Sequence, residues 1–228
     1  MKNQAPRQNA PQSGSIMFMI FIMIGLFAAL SYALSQGLRT GTTELTDNQT
    51  RLAASELIAY AQQARDTYKK LRINGCAAGQ ISFKNPVYGT NATYFPDPAS
   101  APADESCHLF SPKGGGLNYM DFTKIQVLPQ TYKGFTYASV KIDNAGTDKP
   151  EEMLVMAGLS KNVCEQINFQ INQQKTVFTH NNFGERIDSG DELTASRCPA
   201  CSGRPIGCAY DSAHSPTSYN FYYTLESN

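Results

Sequence analysis

One uncharged and almost wholly apolar run, from Ile16 to Leu34, constrains this 228-residue chain more than any other feature. At a rise of about 1.5 Å per residue, a helix of that length is just long enough to cross the roughly 30 Å hydrocarbon core of a bilayer. Met, Phe, Ile and Leu would then occupy every face of the helix, which lipid tolerates and a half-exposed helix of a soluble core does not. The run therefore predicts a membrane anchor, a transmembrane helix over residues 15–36.

A cleaved secretory signal peptide is the alternative interpretation of this run. Its apolar region is normally shorter and is followed by a small-x-small cleavage site. Small residues suited to a signal peptidase are present at Ala28, Ala29 and Ala33. The length of the run nevertheless favours a retained anchor.

The charges that flank the run predict its orientation. Lys2 and Arg7 precede it, whereas Arg39 follows it. This excess of positive charge places the N-terminus in the cytoplasm and the C-terminal part in the periplasm or outside the cell. The leader, residues 1–14, is rich in Asn, Gln, Pro and Ser and lacks apolar periodicity, so we expect it to be disordered.

Cysteine usage agrees with export. All six cysteines follow the apolar run, and an even number of cysteines is typical of compartments in which disulfides persist. They are Cys76, Cys107, Cys164, Cys198, Cys201 and Cys208. Six cysteines permit many complete pairings, so the connectivity stays open. Proximity along the chain favours Cys76 with Cys107, and Cys164 with one of the last three, which leaves the other two for each other.

The C-x-x-C pair formed by Cys198 and Cys201 admits two other interpretations. In a thioredoxin-like site the pair would open a helix, whereas Pro205 and the glycines around it oppose a regular helix here. Cys208 and His214 would complete a C-x2-C-x6-C-x5-H set of zinc ligands, a plausible but unspecific spacing. In an oxidising compartment we favour structural disulfides, and predict neither a metal nor a cofactor.

Beyond the anchor, an amphipathic stalk helix is predicted over residues 42–74. Apolar residues recur at three- and four-residue spacing, and Asn74 and Gly75 provide a stop signal. The stripe consists of Leu45, Leu52, Leu57, Tyr60, Ala61, Ala64, Tyr68 and Leu71. Residues 75–228 are expected to form one exported globular domain.

Within that domain, enrichment in β-branched and aromatic residues predicts an antiparallel meander. Its strands are expected at Lys124–Leu128, Gly134–Ile142 and Glu152–Ala157. A short helix follows at Lys161–Gln173, and the tail from Asn182 is expected to be loop-like until a closing strand at Asn220–Leu225. The predicted fold class is α+β, with a long N-terminal helix, transmembrane and then amphipathic, packed on an antiparallel β-sheet with disulfide-tied loops.

This order of parts resembles type IV pilins and pseudopilins. The junction Gly14-Ser15 resembles a prepilin cleavage site, because a short basic leader ends in Gly directly before the hydrophobic run. The stretch from Leu159 to Cys164 resembles the cysteine-bearing helix of type IVb pilins. The resemblance implies cleavage after Gly14 by a prepilin peptidase and methylation of the new N-terminus at Ser15.

One residue departs from the family pattern. The fifth residue after the cleavage point is usually Glu, whose carboxylate pairs with the amino terminus of a neighbouring subunit, and Met19 occupies that place here. A missing carboxylate makes insertion into lipid easier and removes a contact that sets the register of a filament. The chain therefore resembles a minor or divergent subunit more than a major pilin.

The resemblance implies a non-enzymatic protein of the bacterial inner membrane, a pilin-like or pseudopilin-like subunit of a type IV pilus or type II secretion-type assembly. Its partners would be the lipid bilayer, other pilin-like subunits and the prepilin peptidase. The alternative is an uncleaved single-pass protein with an extracytoplasmic, disulfide-stabilised binding domain that does not polymerise. A third class, an exported thiol oxidoreductase using Cys198 and Cys201, requires a free, acidic thiol. A net charge of zero with interspersed signs argues against a nucleic-acid partner.

Overall fold

The computed structural model describes residues 18–28, 46–128, 130–181, 183–184, 186–213 and 217–227. The chain divides into two compact units, Met1–Glu44 and Leu45–Asn228. In the first unit, residues 18–28 are helical (α1), and their side chains are exposed, with Phe27 at 76% and Met23 at 74%. Among the described residues, no helix is both long enough and apolar enough to cross a bilayer.

Helix α2, Asp47–Ile73, opens the second unit. Thr46 and Gln49 form a capping box at its start, in which each side chain accepts a hydrogen bond from the backbone N–H of the other residue. One face of the helix is buried, as the apolar spacing predicts. That face consists of Ala53, Ala54, Leu57, Tyr60, Ala61, Ala64, Tyr68 and Leu71. Leu52 is 60% exposed, so the prediction that it belongs to the buried stripe is wrong, and Leu45 lies outside the described residues.

Six strands form one mixed sheet in the order β3-β5-β6-β2-β1-β4. Their bounds are β1 Thr136–Ile142, β2 Glu151–Leu159, β3 Phe178–His180, β4 Glu192–Leu193, β5 Ile206–Asp211 and β6 Tyr219–Glu226. Neighbours among the four central strands are antiparallel, whereas β3 pairs with β5 and β4 pairs with β1 in parallel. Helix α3, Lys161–Asn172, follows β2, and the Ser160 hydroxyl caps it by accepting from the Val163 N–H.

The predicted fold class is therefore wrong. The sheet is mixed rather than antiparallel, and the part of the chain that the structure describes holds no long N-terminal helix that is first transmembrane and then amphipathic. The tail after Asn182 was expected to be loop-like, yet it supplies β4 and β5. The tail supplies β4 at the margin beside β1, and it supplies β5 next to β3, which forms the other margin; both of these pairs are parallel.

The predicted strand at Lys124–Leu128 is also wrong. Only Gln126 forms a β-bridge there, with Leu159 at the end of β2. The Gln126 side chain donates to the Ala157 carbonyl at 2.9 Å, so this segment is attached to the sheet by single contacts rather than by a ladder. Five residues of suitable composition are thus not enough to specify a strand without a partner along their length.

Both faces of the sheet are buried, which explains the burial of its central strands. On β2, Leu154 and Met156 belong to the cluster that contains α2 and α3 side chains, whereas Met153 and Val155 belong to a second cluster on the opposite face. That second cluster takes residues from the segment between β3 and β5. They are Phe183, Ile187, Leu193, Cys198 and Cys201. A strand covered on both faces is apolar throughout rather than alternating.

Three disulfides join the six cysteines, and the prediction that they are disulfide-bonded is confirmed. The pairs are Cys76–Cys107, Cys164–Cys208 and Cys198–Cys201, with Cα–Cα distances of 5.8, 5.4 and 5.3 Å. These distances fall within the range of about 4.4–6.8 Å that disulfide geometry requires. The first bond closes the irregular region after α2, and the second joins α3 to β5.

Candidate functional site

One cleft outside the hydrophobic core has a volume of about 320 Å³ and lies where three separate loops meet. One loop is the turn that ends at Phe95, another precedes β1, and the third lies between β3 and β4. The residues that line the cleft are Tyr94, Gln130, Thr131, Tyr132, Phe183, Gly184, Arg186 and Asp188. Most of this lining is polar, which distinguishes the cleft from an apolar ligand pocket.

Arg186 is the central side chain of the cleft. It is only 7% exposed, and its guanidinium donates to the Thr136 hydroxyl at 2.9 Å and to the Gln130 side-chain oxygen at 3.1 Å. The guanidinium lies over the rings of Tyr94 and Tyr132, with its central carbon 5.1 and 6.0 Å from their centroids. Burial lowers the pKa of Arg186, and the nearby Asp188 opposes that shift. A guanidinium has five N–H donors, so most of its donor capacity is not used by these two bonds.

Asp188 is the acidic residue among those that line the cleft. Its Oδ2 accepts a long hydrogen bond of 3.4 Å from the Tyr94 hydroxyl, and its buried Oδ1 has no hydrogen-bond partner among the described residues. Burial raises the pKa of Asp188, and the positive charge of Arg186 opposes this rise. The Asp188 carboxylate lies more than 4.0 Å from the Arg186 guanidinium, so the two do not form a contact ion pair. Their charges interact over a longer distance. Both groups therefore retain hydrogen-bonding capacity.

The aromatic side of the cleft is held in place by a network around Asn91. Its side-chain oxygen accepts from the backbone N–H groups of Thr93 and Tyr94, and its Nδ2 donates to the Tyr132 hydroxyl at 3.0 Å. The Tyr132 ring packs edge-on against Phe95 at 5.1 Å. This polar turn thus holds the Tyr94 backbone and the Tyr132 ring, and the Tyr94 ring packs on Tyr132 with a centroid distance of 5.1 Å.

The loop that carries Arg186 is attached to the sheet on both sides. On the β5 side, the Asp211 carboxylate accepts from the backbone N–H groups of Phe183 and Gly184 at 3.0 and 2.7 Å. On the β1 side, Ser139 accepts from the Gly190 N–H and donates its own N–H to the Ser189 hydroxyl. The position of Arg186 is thus set by regular secondary structure at both ends of its loop.

The site residues predicted from the sequence lie elsewhere. Gly14 and Ser15, the predicted processing site, fall outside the described residues, as does His214 of the zinc alternative. Cys198 and Cys201 are bonded to each other and are fully buried in the second core cluster. Within the described ranges, no group of His, Cys, Asp or Glu side chains is arranged to hold a metal ion.

Sequence reasoning missed the cleft residues. Tyr94, Tyr132 and Arg186 are far apart in the chain, and no spacing or motif connects them. The one local signal was an Arg two residues before an Asp in a segment rich in turn residues, a pattern typical of ordinary surface loops. The cleft exists only because the sheet brings its three loops together.

Comparison of the chain with protein-family models, with curated proteins and with solved structures finds no match. Its function must therefore be inferred from the chemistry of the chain's own residues.

Proposed function

We propose that this chain is a non-enzymatic envelope protein, anchored in the bacterial inner membrane through its apolar N-terminal segment, and a pilin-like or pseudopilin-like subunit of a type IV pilus or type II secretion-type assembly. The observation that carries the proposal is that all six cysteines form disulfides within one unit, Leu45–Asn228. Disulfides persist in oxidising compartments, so this unit functions outside the cytoplasm.

The arrangement of the exported unit supports a structural role. Helix α2 lies along the core through one buried face and is followed by a loop that the Cys76–Cys107 bond closes. The Cys198–Cys201 pair is oxidised, and both side chains are 0% exposed, so an attacking thiolate has no access to it. This burial favours a structural bond over a thiol oxidoreductase.

The mechanism of such a subunit is mechanical. The peptidase removes the leader after Gly14, the apolar segment holds the protein in the bilayer, and assembly buries the apolar segments of several subunits against one another. Its partners are the lipid bilayer, the peptidase and other pilin-like subunits. Because α1 exposes apolar side chains on all sides, it favours surroundings that are lipid or other apolar segments rather than water.

The test is the intact mass and N-terminal residue of the protein purified from its own membranes. A chain that begins at Ser15, with the mass of one added methyl group, is the expected result. A chain that begins at Met1 would contradict processing by a prepilin peptidase.

The second candidate is the uncleaved, non-polymerising binding protein. Two observations favour it, namely Met19 at the place where pilins carry Glu and the polar cleft around Arg186. Chemical cross-linking in the membrane separates the two candidates, because a pilin-like subunit gives products joined to other subunits of the assembly and a non-polymerising protein gives only the monomer.

A further inference from the structure

We infer that the cleft around Arg186 binds a saccharide ring, whether or not the chain polymerises. Its volume of about 320 Å³ lies at the small end of the range of about 300–1,000 Å³ that is typical of small-molecule sites. Its lining is mostly polar, so a polar ligand matches it better than an apolar one.

The charged side chains of the cleft determine which polar groups a ligand can carry. Arg186 offers hydrogen-bond donors and Asp188 offers acceptors, and the two are not paired at contact distance. A free carboxylate would be repelled by Asp188, and an ammonium group would be repelled by Arg186. A hydroxyl group donates and accepts at once, so a ligand with several hydroxyls can bond to both side chains without carrying a charge.

The aromatic side chains of the cleft determine which shape of ligand fits. The rings of Tyr94 and Tyr132 pack against each other, with their centroids 5.1 Å apart at an angle of 55°, so they form one continuous aromatic surface. Asn91 bonds the Tyr132 hydroxyl and the Tyr94 backbone N–H. The C–H face of a pyranose ring packs on an aromatic face while its hydroxyls project sideways, and the surface that it would use is the part of these rings that the Arg186 guanidinium does not cover. Here those hydroxyls would meet Arg186, Gln130 and Asp188.

The experiment titrates the full-length, disulfide-intact chain with glucose, galactose, mannose and N-acetylglucosamine, in a detergent without a sugar headgroup. Saturation-transfer NMR detects contact with the sugar protons, and amide chemical shifts of the labelled protein locate the site. We expect at least one sugar to bind with millimolar affinity and to shift amides around Tyr94, Tyr132 and Arg186. Alanine serves as a zwitterionic probe and should not bind.

Two variants and a control make the test specific. Tyr94→Ala removes one of the two aromatic rings and should weaken binding by about tenfold. Tyr94→Phe keeps the ring and should weaken binding by less than about threefold. Tyr210→Ala removes a half-buried ring on the α2 side of the sheet and should leave binding unchanged. If no sugar shifts the cleft amides up to roughly 50 mM, or if alanine binds there instead, the inference is wrong. Equal sugar affinity in a folded Tyr94→Ala variant would also overturn it.

Discussion

Glu152 is a half-buried carboxylate in a crowded acidic environment. It pairs across the sheet with Glu226, which is itself held by Arg72 at 3.0 Å and by the Tyr68 hydroxyl at 3.2 Å. Burial raises the pKa of Glu152, a hydrogen bond with Tyr137 opposes this rise, and the charges of Glu226 and Glu151 add to it. The charged form of this side chain is therefore disfavoured in the folded protein.

This environment predicts that Glu152→Gln stabilises the protein at neutral pH. A carboxyl with a raised folded pKa contributes its full stability below the unfolded value of about 4.3 and loses it as pH rises through the folded value. Gln cannot ionise, yet its side-chain oxygen still accepts from Tyr137. Removal of a like-charge pair between strands should raise the free energy of unfolding by roughly 0.5 kcal/mol at pH 7. Urea unfolding at a series of pH values measures this difference.

The pH profile and a control variant distinguish this electrostatic effect from a gain in stability that does not depend on charge. The advantage of Glu152→Gln should disappear near pH 4 and below, where the wild-type carboxyl is protonated in both states. Glu56→Gln, on the exposed face of α2, should change the free energy of unfolding little at any pH. A gain that is constant between pH 4 and pH 8 would contradict the electrostatic explanation.

Among the elements, α2 was the most predictable from sequence. Its buried face follows the three- and four-residue spacing of small and aromatic residues, and it ends at Ile73, directly before the Asn74-Gly75 stop signal. Gly75 has a φ of 99°, a value that few other residues adopt readily. A long amphipathic helix carries many independent signals, so one exception such as Leu52 does not obscure it.

This assignment of faces predicts opposite outcomes for two matched substitutions on α2. Leu57 is 0% exposed, so Leu57→Asp places an unpaired charge in the core and should cost about 4 kcal/mol or more. Leu52 is 60% exposed, so Leu52→Asp should change the free energy of unfolding by less than about 0.5 kcal/mol. Limited proteolysis and thermal melting compare the two variants. A folded, protease-resistant Leu57→Asp variant would refute the packing of this face of α2 against the core.

The edge strands were not predictable by the same reasoning. β3 has three residues and β4 has two, which is too short for a period-2 pattern to appear. In β5, a Cβ atom at Gly207 would lie 2.5 Å from the Phe178 ring. Close packing, rather than a turn, therefore requires glycine at this position. The cleft around Arg186 depends on these elements, and for that reason the sequence did not reveal it.

At the scale of the whole molecule, the sheet of the Leu45–Asn228 unit separates two hydrophobic clusters, and each cluster contains disulfide sulfurs. Cys164–Cys208 lies with α2 and α3, whereas Cys198–Cys201 lies in the cluster on the opposite face. Asn168 reinforces the first connection, because its side chain both donates to the Cys208 carbonyl and accepts from the Cys208 N–H. The first bond thus joins distant segments, and the second fixes a single turn.

This difference predicts unequal contributions from the two bonds. Cys164–Cys208 closes 44 residues of chain and Cys198–Cys201 closes 3, so restriction of the unfolded chain contributes about 4 kcal/mol for the first and about 1.5 kcal/mol for the second. The double variants Cys164→Ala/Cys208→Ala and Cys198→Ala/Cys201→Ala are well matched, because all four side chains are 0% exposed and each pair leaves a similar cavity. Urea unfolding of the full-length chain, followed by the near-ultraviolet circular dichroism of tyrosine, should show a loss larger by about 2 kcal/mol in the first variant. An equal or larger loss in the second would mean that the buried turn at Cys198–Cys201 stabilises the native state itself, rather than merely restricting the unfolded chain.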